Sequence, residues 1–63
     1  MDADVIRYMR IQSEDDSENV KAVKWQFCSL VTFANNHPAI APDAQGLLES
    51  LFDYGQYLIE TGQ

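Results

Sequence analysis

The chain lacks most of what small proteins use to brace themselves or to do chemistry. Cys28 is its only cysteine, so no disulfide can form within it, and a lone thiol fits a reducing compartment. His37 is its only histidine, and one imidazole with one thiol does not make a metal-ligand cluster. Four basic side chains face ten acidic ones, and the resulting charge of −6 disfavours polyanion and anionic-membrane binding. No apolar run reaches the ~18 residues that a membrane-spanning helix needs. The acidic start, Met1-Asp2-Ala3-Asp4, is the opposite of a basic secretory leader, so residence in the cytoplasm is expected.

Catalysis has equally little to stand on. His37 precedes Pro38 in a polar stretch with no Ser or Cys at a recognisable spacing, which describes a solvated loop histidine. Cys28 falls mid-helix without a nearby base and reads as a small packing residue. No glycine-rich phosphate loop, internal repeat or low-complexity segment is present. The expectation is a non-enzyme without cofactor or metal.

What is present is apolar surface. With 46% hydrophobic and 11% aromatic residues the chain is too apolar to stay disordered. At 63 residues it is a single small domain, in which burial and conformational entropy nearly cancel. With disulfides and metals excluded, oligomerisation is the remaining source of stability.

Val5-Ile6-Arg7-Tyr8-Met9-Arg10-Ile11 is β-branched and aromatic with partial alternation. It reads as a strand or extended arm over 5–11, or as a short helix packing Val5, Tyr8 and Met9. A lone strand here would have to pair with another chain. The polar run from Ser13 to Asn19 offers three helix starts: Ser13 with Asp16, Asp15 with Glu18, or Ser17. Its acids also suit the positive end of a helix dipole.

A first long helix is expected over about 15–35. At 100° per residue Val20, Val23, Phe27, Leu30, Val31 and Ala34 share one face, whereas Lys21, Lys24, Cys28, Thr32 and Asn35 share a more polar one. Ala22, Trp25, Ser29 and Phe33 form a second stripe. Asn35 to Pro42 ends this helix and connects it to an antiparallel neighbour. A second long helix is expected over about 43–61, its apolar arc of about 160° holding Ala44, Leu47, Leu48, Leu51, Phe52, Tyr54, Leu58 and Ile59. Gly46 and Gly55 lower its propensity, and close approach of another helix at Gly55 would compensate.

The fold expected is therefore mainly α: a hairpin of two amphipathic helices with a short N-terminal strand or extended arm, assembled as a homo-oligomer. Pairing the Val20/Val23/Phe27/Leu30/Ala34 seam against Leu47, Leu51 and Leu58 leaves Trp25, Phe33, Phe52, Tyr54 and Ile59 as the subunit or partner contacts. Dimer and trimer both bury such stripes. Glu49, Asp53 and Glu60 line the opposite side, as a solvated face or an acidic partner face.

Two nucleic-acid readings compete. Strand, helix, helix is the order of ribbon-helix-helix repressors, with Arg7 and Arg10 as the DNA contacts. Against it stand the acidity, the length of the first helix and the two prolines in the connection. Alternatively the acids could imitate a phosphate backbone and occupy a DNA-binding protein. Glu14, Asp15, Asp16 and Glu18 are few for that role and already serve helix capping.

Over its full length the chain resembles the small early proteins of the exo–xis region of lambda-like bacteriophages. The similar stretches are Val23-Lys24-Trp25-Gln26-Phe27-Cys28-Ser29-Leu30-Val31 through Asn35-Asn36-His37-Pro38, and Leu47-Leu48-Glu49-Ser50-Leu51-Phe52-Asp53-Tyr54-Gly55-Gln56-Tyr57. The resemblance implies early expression in an infected bacterium, residence in the host cytoplasm, and a non-enzymatic influence on host physiology or the lysis–lysogeny decision. The partners expected from the surplus apolar surface are a second copy and a host or phage protein; the resemblance itself names no target. It carries over no catalytic or binding residue.

Overall fold

The computed structural model describes residues 2–63 as three helices: α1 (Ala3–Arg10), α2 (Glu18–Asn36) and α3 (Ala41–Glu60). The strand expected at residues 5–11 is not formed; α1 takes its place. Asp2 accepts a hydrogen bond from the Asp4 N–H (3.0 Å) and caps the helix. Asp4 in the first turn and Arg7 and Arg10 in the last complement the helix dipole. Val5, Ile6 and Met9 then pack against the core, and that burial overrides the β-preference of Val5 and Ile6. The ribbon-helix-helix reading thereby loses the ribbon it requires.

Of the three candidate starts for α2, Ser17 is the cap. Its Oγ accepts from the Val20 N–H (3.2 Å). Ser13 and Asp16 instead build the preceding turn, where Asp16 accepts from the Ser13 N–H and Ser13 Oγ accepts from the Asp15 N–H. His37 closes α2, donating its N–H to the Ala34 carbonyl while its ring stacks on Phe33 at 4.3 Å. Pro42 sits in the first turn of α3, where a missing N–H has no helical partner to lose. At the far end Gly62 adopts φ +72°, and Gly62 and Gln63 donate to the Ile59 and Leu58 carbonyls. This Schellman arrangement is open to glycine because the left-handed conformation carries no Cβ penalty.

α2 and α3 pack antiparallel around Val20, Val23, Phe27, Val31, Leu48 and Leu58, with Met9 of α1 completing the cluster. A Cβ built on Gly55 would lie 3.4 Å from Val23 Cγ1, so the close approach expected at this glycine is observed. The expected seam needs one correction: Leu48, not Leu47, is in the core, and Leu47 is 60% exposed. α1 lies along one side of the hairpin, where Tyr8 meets Phe52 edge-on (6.3 Å), and Phe52 joins Leu48 on the covered side of α3.

The ends of the hairpin are tied together. Ser17 Oγ and Asn19 Nδ2 both donate to the Gln63 carbonyl, at 2.7 and 3.2 Å. Gly46 is different from Gly55, since nothing lies within 4 Å of a Cβ built there and its backbone is helical. Gly46→Ala is therefore expected to stabilise the fold by about 0.5–1 kcal/mol, raising the melting midpoint by about 2–8 °C. A thermal melt followed by circular dichroism checks it, and an unchanged or lowered midpoint would contradict the open environment.

Candidate interaction site

Two kinds of surface emerge from this packing, one charged and held, the other apolar and free. The charged one is built around Lys24, which the helical wheel had placed on a polar face. The side chain is buried (residue exposure 5%), and its Nζ donates to Asp16 Oδ2 (2.7 Å) and to the Ile11 carbonyl (3.0 Å). It also lies 4.8 Å from the centroid of the Tyr8 ring, a cation–π distance. One ammonium thus joins the end of α1, the connecting turn and α2. The hydrogen bond from Lys24, followed by the Ser13 N–H and the charges of Lys24 and Lys21, holds the Asp16 carboxyl below its usual range against the opposing effect of burial. Beside it, Cys28 Sγ donates to the Met9 carbonyl (3.5 Å) across the α1–α2 seam.

Lys24 sits at the shoulder of the apolar arc, next to Val20, Val31 and Phe27 on the wheel, and that proximity is the signal sequence reasoning passed over. The other ion pairs, Arg7–Asp4 and Lys21–Glu18, lie on the surface, where such pairs contribute little.

Four of the five residues expected at a subunit or partner contact are exposed: Trp25 (66%), Phe33, Tyr54 and Ile59. They do not form one patch. Trp25 and Phe33 lie on the outward face of α2, whereas Tyr54 lies on α3, its ring stacked with that of Tyr57 at 6.3 Å. Ile59 lines a cavity of about 360 Å³ at the foot of α3, shared with Tyr8, Asp16, Val20 and Gln63. Phe52, the fifth, is half-buried, packed on the core and edge-on to Tyr8. Leu47 and Tyr57 join the exposed set.

The acids divide as well. Glu49 and Asp53 border a cavity of about 340 Å³ between α1 and α3, facing Asp2, Val5 and Phe52. Glu60 is exposed about two helical turns beyond Asp53 and does not join them.

Among the described residues no group of three or more His, Cys, Asp or Glu side chains could hold a metal ion, and no helix is long and apolar enough to cross a membrane. These features define a small three-helix protein whose distinctive surface is exposed apolar side chains. Comparison with protein-family models, curated proteins and solved structures finds no match for the chain.

Proposed function

We propose that this chain is a non-enzymatic protein-interaction module that associates with copies of itself and with a host or phage protein. The observation that carries the reading is the exposure of Trp25, Phe33, Leu47, Tyr54 and Tyr57 on so small a protein. Aromatic side chains of this kind anchor interfaces. The resemblance to phage exo–xis early proteins supports placing its action in the infected host's cytoplasm, on host physiology or on the lysis–lysogeny decision. On α3, Asp43, Glu49, Asp53 and Glu60 are accompanied by no base, so a partner docking there gains from basic side chains.

Light scattering after gel filtration, over a wide concentration range, tests the self-association. The expected mass is two or three times the 7.2 kDa of the chain. Trp25→Glu is expected to lower that mass while leaving helicity intact, because the residue faces solvent within the monomer. A wild-type protein that stays monomeric at all concentrations would refute the homo-oligomer.

A further inference from the structure

A second copy of an acidic chain cannot dock just anywhere. The 11–17 turn and α3 carry Glu14, Asp15, Asp43, Glu49, Asp53 and Glu60, all exposed and accompanied by no base, whereas α1 and its cap mix Asp2 and Asp4 with the exposed Arg7 and Arg10. Bringing the turn or the acidic side of α3 against its own copy sets like charges together, which costs several kcal/mol in a closed interface, and α1 against α1 would desolvate charges of both signs. The outward face of α2 differs. Ala22, Trp25, Gln26, Ser29, Thr32, Phe33 and Asn36 are all exposed and none is charged. The one charge of α2 beyond its first turn, Lys24, is turned inward onto Asp16. The charges at its start, Lys21 and Glu18, pair with each other at 3.7 Å.

The neutral face is also symmetric about its middle. Trp25, Ser29 and Phe33 are spaced four apart and form one ridge of the helix, aromatic at both ends and small at the centre. We infer that two copies pack α2 against α2 antiparallel, with Ser29 on the twofold axis. This inference rests on the self-association proposed above and assigns it a face and a geometry. Four residues advance a helix by about 6 Å, so Trp25 and Phe33 lie at equal distances either side of Ser29. Reversing the second helix brings Trp25 of one copy level with Phe33 of the other, twice over, as an isologous interface requires. Ser29 at the crossing point allows the axes to approach to about 8 Å, which bulkier residues prevent. Charge is depleted at the centre and aromatics are enriched, the composition of an interface core.

Disulfide trapping tests the geometry. In a Cys28→Ser background, which retains a donor for the Met9 carbonyl, Ser29→Cys is expected to cross-link into a covalent dimer under mild oxidation. Thr32→Cys, displaced from the axis, is expected to stay uncrosslinked, because its two copies lie beyond disulfide reach. Ser29→Arg, an exposed position that leaves the core untouched, is expected to weaken association at least tenfold with unchanged circular dichroism. Trp25 is the only tryptophan, so its emission should shift to the blue with concentration in the wild type and not in Ser29→Arg. A stable dimer in which Ser29→Cys fails to cross-link and Ser29→Arg keeps its affinity would overturn this interface and leave self-association standing. A trimer would also overturn it. A wild-type monomer at every concentration would remove both the interface and the reading beneath it.

Discussion

Phe27→Ala is expected to leave the isolated chain largely unfolded at 25 °C. Among the described residues Phe27 is the one large side chain with no exposed surface at all, and it sits at the middle of α2 among Val20, Val23, Val31 and Leu58 in the core. Truncating a buried phenylalanine typically costs about 3–5 kcal/mol, the lost transfer free energy plus the cavity left behind. A domain of this length holds roughly 3–9 kcal/mol in total. So short a chain without disulfide or metal belongs at the low end of that range, where the substitution removes all of it. Phe27→Leu, which keeps most of the volume, should cost about 1 kcal/mol and preserve a cooperative melt. Circular dichroism on dilute samples distinguishes the two, dilution being needed because self-association would add concentration-dependent stability. A Phe27→Ala protein with wild-type helicity and midpoint would mean that the core is not centred where the packing places it.

The second large effect is expected at Asp16. Removing its carboxylate in Asp16→Ala strands the Lys24 ammonium, 5% exposed, with only the Ile11 carbonyl and the Tyr8 ring for company. Breaking a buried pair from one side costs about 3–5 kcal/mol; the partial exposure of Asp16 argues for the lower end. Lys24→Met in the same background should restore much of the loss, since an apolar side chain of similar length needs no partner. If Asp16→Ala melts like wild type, the pair does not hold α1 in place. The same bond sets a pH dependence. The folded Asp16 pKa lies below its unfolded value, so its contribution is fully present above the ordinary carboxylate range near about pH 4. It is lost as pH falls through the lowered folded value. Asp16→Asn should accordingly flatten the acid limb of the stability profile.

Helix content, the hairpin, Ser17 among the possible caps and the role of Gly55 were all legible in residue spacing, because each depends on local periodicity or capping chemistry. Residues 5–11 misled in one of their two readings. Their β-branched composition suggests a strand, but the choice was made by an apolar face finding Phe52 and the α2 seam, partners far away in sequence. Leu47 and Leu48 both lie in the apolar arc, and the angle at which α3 meets α2 decides which is covered. Lys24 was legible only as a neighbour of the apolar arc, for a similar reason. A lysine beside an apolar arc usually reaches for water, and its burial follows from Asp16 and the Ile11 carbonyl being presented by a turn that spacing alone does not place. Trp25, Phe33, Tyr54 and Ile59 were legible as surplus apolar positions and are exposed, whereas Phe52 is half-buried because Tyr8 of α1, whose place the spacing does not give, meets its ring.

The lone cysteine takes on a different meaning once α1 is in place. Cys28 is half-buried in the seam, its Sγ donating to the Met9 carbonyl, so that α1 shields the sulfur on that side. Opening of α1 alone exposes it, without any need for α2 and α3 to separate. The rate at which a small thiol reagent modifies Cys28 is thus a clock for a sub-global opening. The molecule carries its own gauge of how often its shortest helix lets go.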